Sequence, residues 1–549
     1  MPLTFRVDGR EVAVADDGRS LLDALREELG VHAPKDGCSP QGQCGCCTVW
    51  VDGSPRVSCV TPARRVAGRE VTTSEGLDPS VARRWADALV ASGGSQCGFC
   101  TPGIVLRLAA LEGHQASGRR RVDEAAVRTA LAAHLCRCTG WQSIVEAAGA
   151  VLGVPVGPGG ADAAPLPVEN GPEERDPLLA GWRAQLEGPA FQTTSAATVL
   201  GRAGFAEDTA PARARVAVPR ADGSLAVGDD LTDARRRAGK VQGRNSPVAL
   251  RHPLALPAGE WDLCLRTTWV EPAYLEPDAS WCRPGGRPAT PLANGGAFGG
   301  KRRSPVTAEA ERLAADEGVP VRVVWSREDV ARHGPKRPPV ALGVRSDGTG
   351  VLRLARTPRA TGLDVVAARV AAVAPGIRVE VVDVPGPPVS ADIRGAGWVE
   401  ATVVTAVLCA RREGRAGPGA PVSVTAPGGG RARVSVDPGG PVHVEVWAGE
   451  VLDPMVLRSY CMGAVHQALG WVRSEGVAVD EGGTVHDLTV RSYGVLSARD
   501  TPWMHVTLHE EDTWPVNGSD AVLAATAAAA WITDGLAADW PTRRAGAGR

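Results

Sequence analysis

Apolar and polar residues alternate over LTFRV (3–7) and EVAV (11–14) on either side of Asp8-Gly9, a turn pair that tolerates positive φ, so the chain opens on a β-hairpin. Ser20 then stands where it can cap a helix through LLDALREEL. Leu21, Leu22, Leu25 and Leu29 would line its apolar stripe, and Gly30 would end it. A Gly- and Cys-rich stretch, GCSPQGQCGCC, leads into a second hairpin, TVWVDGSPRVSCV, around Asp52-Gly53. The order is β-β-α-loop-β-β. From about 80 to 150 the period changes to 3.6, and VARRWADALVASG, TPGIVLRLAALEG, VDEAAVRTALAAHL and TGWQSIVEAAGAVLG predict four helices of a small bundle. Thr101 with Pro102 reads as one helix start, and Thr139 with Gln142 three residues on as a capping box. Both starts follow a cysteine pair, and a helix N-terminus stabilises thiolate.

Residues 153–177 are rich in Pro, Gly and Ala without periodicity and predict an extended linker. Beyond it, β-like runs (RVAVP, VRVVW, IRVEVVDV, VHVEVW) mix with helical ones (VTAEAERLAADE, LRSYCMGAVHQALG, AVLAATAAAAWI). The expected architecture is therefore multidomain α+β. Its parts are a sheet-containing domain over 1–76, a helical domain over 77–152, a linker over 153–177 and a mixed α/β region over 178–549. The length agrees, since 549 residues at ~150 per domain give three or four domains.

Composition narrows the function. Lys+Arg 60 against Asp+Glu 62 leaves a net charge of -2, so no overall field gathers nucleic acid or an anionic membrane surface. No apolar run approaches the ~18 residues of a membrane span; the longest candidate is the Ala-rich 521–532, of buried-helix length. The opening MPLTFRVDGREVAV lacks a charged segment followed by an apolar one, so the expectation is a cytoplasmic chain with reduced thiols. With 13 cysteines, the chemistry is sought there.

Two sets stand out. Cys38-x5-Cys44-x2-Cys47-x11-Cys59 puts three thiols on a glycine-rich loop and a fourth on the following hairpin, as a ferredoxin-type [2Fe-2S] site needs. Gly37, Gly42 and Gly45 give that loop its freedom. Cys46 fits the ligand spacing less well than its neighbours and reads as a non-ligand. The second set, Cys97-x2-Cys100-x35-Cys136-x-Cys138, is two short pairs that a bundle would bring together. Structural zinc is the competing reading, because paired cysteines also build four-thiolate zinc sites. A Cys-x-Cys pair suits tetrahedral zinc poorly, and three cysteines in one loop is the plant-type ferredoxin form, which favours two [2Fe-2S] clusters.

GCSPQGQCGCCTVWVDGSPRVSC, followed by QCGFCTPG and LCRCTGW, resembles the two iron-sulfur domains of the xanthine dehydrogenase and aldehyde oxidoreductase family of molybdenum hydroxylases. The likeness covers residues 1–150. It implies a β-grasp ferredoxin domain, then a four-helix-bundle domain whose cluster adjoins a molybdopterin cofactor that Gln96 would touch. The family has four residues between its first two cysteines, and this chain has five. In order, VEPAYLEPDASW (270–281), NGGAFGGKRRS (294–304), VRVVWSREDVARHGPKR (321–337), ADIRGAG (391–397) and VNGSDAVLAATAAAAW (516–531) resemble segments of the family's molybdopterin-binding subunit. The GGAFGG run offers close backbone approach and consecutive N–H donors through Gly296 and Gly299, with Phe298 beside the metal. Arg394 matches a cofactor-contacting arginine, although a lone loop arginine is by default solvated.

The resemblance implies an oxidoreductase that passes electrons singly from a molybdenum site to an external acceptor: a flavoprotein, ferredoxin or cytochrome. The substrate would be a small aldehyde or N-heterocycle. The family's catalytic glutamate falls on Gly518, and the acidic residue that often follows GGK is Arg302 here. Asp520, Glu271, Glu276 and Asp278 are acidic neighbours in sequence, and no catalytic residue is assigned. The molybdenum region is also short, which leaves a second reading: a non-catalytic electron-transfer subunit whose C-terminal domain docks a partner. His466, His505 and His509 lack a ligand pattern and read as core or surface histidines. Cys264, Cys282, Cys409 and Cys461 read as small buried hydrophobes.

Overall fold

The computed structural model describes residues 2–158, 175–239, 248–291 and 296–543. Most of the expected linker, 159–174, and Asn294-Gly295 of the glycine run lie outside the described residues.

The N-terminal domain is a five-stranded sheet of β1 (Leu3–Val7), β2 (Arg10–Val14), β3 (Thr48–Val51), β4 (Ser54–Val57) and β5 (Glu70–Thr72), in the order β2-β1-β5-β3-β4. Both predicted hairpins form, with Asp8, Gly9, Asp52 and Gly53 all at positive φ. Strand β1 pairs parallel to β5. Ser20 caps its helix by accepting from the Asp23 amide, and Leu21, Leu22 and Leu25 are buried as their spacing requires. That helix is wound wider than expected, since Ala24–Glu28 forms a π-turn.

Four helices follow: Pro79–Ala91, Thr101–Ala116, Glu124–Leu131 and Gln142–Leu152. Two of their starts differ from the sequence reading. Cys100, not Thr101, is the N-cap of Thr101–Ala116, and Thr101 is already helical. Gln142–Leu152 starts after Trp141 at φ 67°, so the Thr139-Gln142 capping box does not form. The Thr139 hydroxyl lies 3.2 Å from Cys136 Sγ instead, drawn into the cysteine loop.

Among the described residues, the C-terminal region contains three further sheets. Leu225–Gly228, Arg215–Pro219, Val321–Val324 and Ala279–Cys282 form one in that order. A five-stranded sheet is built around Leu263–Thr267 and Val340–Val344, and a four-stranded one around Arg431–Val436 and Val442–Trp447. The expected runs 306–317 and 454–473 are helices, and the Ala-rich run becomes Ser519–Thr533, buried on nearly every face. Its small side chains let it lie close to Pro454–Arg473, where the largest core is packed.

A second core runs across the boundary between domains. It contains all eight candidate cysteines, the bundle leucines, Trp85 and Trp141, together with Trp269, Leu275, Val389, Val477 and Tyr493 from the C-terminal region. The cysteine loops are thus enclosed by the chain's own later residues.

Candidate metal centres

The first set sits on the loop before β3 and on the turn after β4. Ser39, Gly42 and Gly45 take positive φ, which coils the backbone around the thiols. The Gln41 amide points at Cys38 Sγ across 3.3 Å, the kind of N–H···S contact that stabilises thiolate charge. Cys38, Cys44, Cys47 and Cys59 are all buried and unbridged. The S–H groups of Cys44 and Cys59 hold the Cys38 thiol well below its usual range. Cys47 lies against Cys59. Cys46 is buried in the same loop with its sulfur 3.8 Å from the Cys44 carbonyl.

The second set joins the turn before Thr101–Ala116 to the loop before Gln142–Leu152. Cys97 Sγ lies 3.7 Å from Cys138 Sγ. Two sulfurs each ~2.3 Å from a common tetrahedral metal stand about 3.8 Å apart, so this pair is spaced to share one. The S–H groups of Cys100 and Cys138 hold the Cys136 thiol well below its usual range, as in the first set. Each set is therefore four adjoining thiols. Among the described residues no three or more His, Cys, Asp or Glu side chains converge on a single metal ion. The donor set fits a two-iron cluster, in which each iron takes two thiolates.

Backbone contacts join the two loops. The Leu135 amide donates to the Cys44 carbonyl at 2.9 Å. A Cβ on Gly45 would stand 2.4 Å from His134 Nδ1, and one on Gly103 would stand 2.4 Å from the Gly45 carbonyl.

The C-terminal region closes over the second set. Arg137, between Cys136 and Cys138, makes a two-pronged ion pair with Glu475 at 2.6 and 2.7 Å, and Arg137 Nε donates to the Pro272 carbonyl. Cβ atoms on Gly463 and Gly140 would run into the Cys138 and Met462 carbonyls. Arg137 occupies the middle position of the Cys-x-Cys pair, and its role has no signal in the sequence.

The five candidate pterin contacts fall in three places. Gln96 is buried, and its Nε2 donates to the Cys138 carbonyl and to Ser459 Oγ, both at 2.9 Å. The cavity beside it holds only about 20 Å³. Gly296 packs on Arg137, where a Cβ would stand 3.6 Å from Cys138 Sγ. Phe298, Gly299 and Arg394 do come together, on a cleft of about 240 Å³ that Arg302 and Arg369 also line. The Arg394 amide donates to the Phe298 carbonyl at 2.9 Å, and its guanidinium lies 5.5 Å from the Phe298 ring centre. Arg394 is buried, not solvated: it bonds Asp520 and Ser519 at 2.6 and 2.5 Å. The three guanidinium groups of Arg302, Arg369 and Arg394 are the donor chemistry of a pterin phosphate. That part of the cofactor fits this cleft, and Gln96 lines a neighbouring space that shares Tyr460 with it.

At Gly518 a carboxylate arrives from elsewhere. Glu187, on the Pro177–Glu187 helix, accepts from the Gly518 and Ser519 amides at 3.0 and 2.9 Å and from Arg183. It caps Ser519–Thr533 from outside and is fully buried in doing so.

Among the remaining residues singled out in the sequence, His466 is buried and lies 3.0 Å from the Leu496 carbonyl. His505 and His509 stack on His443 and Trp447 along Met504–His509. Cys282 and Cys461 are buried, whereas Cys409 is exposed and Cys264 half-buried, because each sits on an outward-facing position of its helix or strand.

Two adjoining four-thiol sets, one on a β-grasp sheet and one in a helical bundle, define the class: a protein with two [2Fe-2S]-binding domains. Residues 5–71 match the 2Fe-2S iron-sulfur cluster binding domain family, and residues 73–149 match the [2Fe-2S] binding domain family. The nicotine 6-hydroxylase small subunit of Paenarthrobacter nicotinovorans is 38% identical over 147 residues, 26% of this chain and 86% of that one. The aldehyde oxidoreductase of Megalodesulfovibrio gigas is 40% identical over 146 residues, which span only 16% of its length. The solved structure of aldehyde oxidoreductase from Desulfovibrio gigas superposes with a TM-score of 0.69 at 15% identity, covering 99% of both chains. That likeness extends the fold through the C-terminal region. The chain belongs to the xanthine dehydrogenase and aldehyde oxidoreductase family of molybdenum hydroxylases. Among the described residues no helix is long and apolar enough to cross a membrane.

Proposed function

We propose that the chain is an oxidoreductase of the molybdenum hydroxylase type, working in the cytoplasm as a relay for single electrons. Cys97, Cys100, Cys136 and Cys138 would hold one [2Fe-2S] cluster and Cys38, Cys44, Cys47 and Cys59 a second; when bound, these would supply one-electron carriage between an oxidation site in the C-terminal region and an external flavoprotein, ferredoxin or cytochrome. The observation that carries this reading is the direct backbone contact between the two cysteine loops, which belong to one core.

The chain's own residues do three things in this scheme. The Gln41 amide stabilises negative charge on Cys38 Sγ. The shared core keeps water from the second set and from the first except at its Cys59 edge, which limits solvent reorganisation when charge moves. Gln96 and Arg137 fix the second set against the Pro454–Arg473 helix and Glu475. Phe298, Gly299 and Arg394 would hold a molybdenum-pterin group, which when bound supplies hydroxylation at an electron-poor carbon of an aldehyde or N-heterocycle.

One observation favours the second reading, a non-catalytic electron-transfer subunit. The carboxylates lining the cleft are all engaged: Glu187 by Arg183, Asp392 by Arg303 and Asp520 by Arg394. Elemental analysis of protein made in a cofactor-competent host separates the two. About one molybdenum per four irons supports the hydroxylase, and a ratio near zero leaves the relay alone.

A further inference from the structure

A cleft of about 560 Å³ opens between the β-grasp domain and the sheet of Arg215–Pro219 and Val321–Val324. Small-molecule sites run to roughly 300–1,000 Å³ and favour domain boundaries. Cys59, at the edge of the first thiol set, lines this cleft. Beside it stands Val60, with 48% of its surface exposed, an unusual degree for a large apolar residue next to a buried thiol. Val218, Leu231 and Val324 face it from the far wall. A ligand seated there has an apolar slot and lies against the cluster side of the loop.

Charge decides the kind of ligand. Asp17 and Asp23 stand at its edge and the buried Glu328 and Asp329 in its wall, against Arg19 and Arg235. Both guanidinium groups are already engaged, Arg19 by Asp17 and Glu28, Arg235 by Asp23 and Asp36. A phosphate-bearing ligand such as a flavin nucleotide would meet a surplus of like charge, and an uncharged ring would not.

We propose that this cleft binds an uncharged quinone as the electron acceptor. The proposal rests on the relay reading above and names the chemistry at its outlet. Two electrons, one from each of the two reduced clusters, cross one at a time by way of the thiol set that includes Cys59. Two protons enter from solvent at the open mouth, and the two quinone carbonyls become hydroxyls while both clusters return to their oxidised form.

The test uses the full-length iron-loaded protein with tetramethylbenzoquinone. Equilibrium dialysis on the oxidised protein should give one saturable site. Stopped-flow mixing of dithionite-reduced protein should give cluster reoxidation that saturates with quinone. Thr232→Trp, an exposed position on the far wall, should fill the slot and weaken both binding and reoxidation at least tenfold, and Val60→Trp should do the same from the near wall. Electron paramagnetic resonance checks that both variants keep two reducible signals. Intact signals with no dialysable binding, with reoxidation strictly linear in quinone, or with flavin mononucleotide saturating at lower concentration than quinone, would overturn the site while leaving the relay standing. If wild-type protein gives no reducible cluster signal, relay and outlet fail together.

Discussion

The amide of Leu135 donates to the carbonyl of Cys44 across 2.9 Å, so a residue next to one set of thiols is hydrogen-bonded to a member of the other. The loops meet backbone to backbone. Gly103 is part of that seam, because its missing Cβ is what lets the Thr101–Ala116 helix approach the Gly45 carbonyl. Gly103→Ala should therefore destabilise by roughly 1–3 kcal/mol, although alanine is the better helix former. Urea unfolding measures this, and the magnetic interaction between the two cluster signals should weaken in parallel.

Cys38→Ser and Cys136→Ser should each abolish one of two reducible signals and about half of roughly four irons per chain. Loss of neither signal, or stoichiometric zinc in colourless protein, would refute the ligand assignment. Cys46→Ser should keep both signals.

Arg137 and Glu475 each expose only 2% of their side chains. Removing one partner leaves a buried, unpaired charge, so Glu475→Gln should cost roughly 3–5 kcal/mol. Because Arg137 stands between Cys136 and Cys138, the spectrum of the bundle cluster should shift while the ferredoxin-type signal stays in place.

Burial lowers the His466 pKa to about 4, so the ring is neutral in the folded chain. The unfolded chain takes up a proton below about pH 6.5, and the folded one only near pH 4. Stability is thus whole above pH 6.5 and falls by ~3 kcal/mol as the pH drops to 4. His466→Gln should flatten that part of the stability profile, and a slope unchanged by the substitution would refute the assignment.

The N-terminal third was readable because its signals are local. Asp8-Gly9 and Asp52-Gly53 set the turns from two residues each, and cysteine spacing marks the thiol sets without reference to the rest of the fold. The caps expected at Thr101 and Thr139 do not form because tertiary demand outweighs capping: Cys100 takes the N-cap and Thr139 turns to Cys136. In the C-terminal region the strands 215–219 and 442–447 and the helix 306–317 follow their periodicity. The contacts that matter there are between residues hundreds of positions apart. Glu187 on the Gly518 amide, Glu475 on Arg137 and Ser459 on Gln96 are pairings that no local pattern encodes.

The closing of the C-terminal region over Cys136 and Cys138 also imposes an order on assembly. With Gly463 pressed on the Cys138 carbonyl and Arg137 locked to Glu475, the C-terminal region covers the second thiol set in the folded chain. Iron and sulfide should reach the bundle more readily while the later domain is still undocked, which makes maturation of this protein a race between cofactor delivery and its own folding.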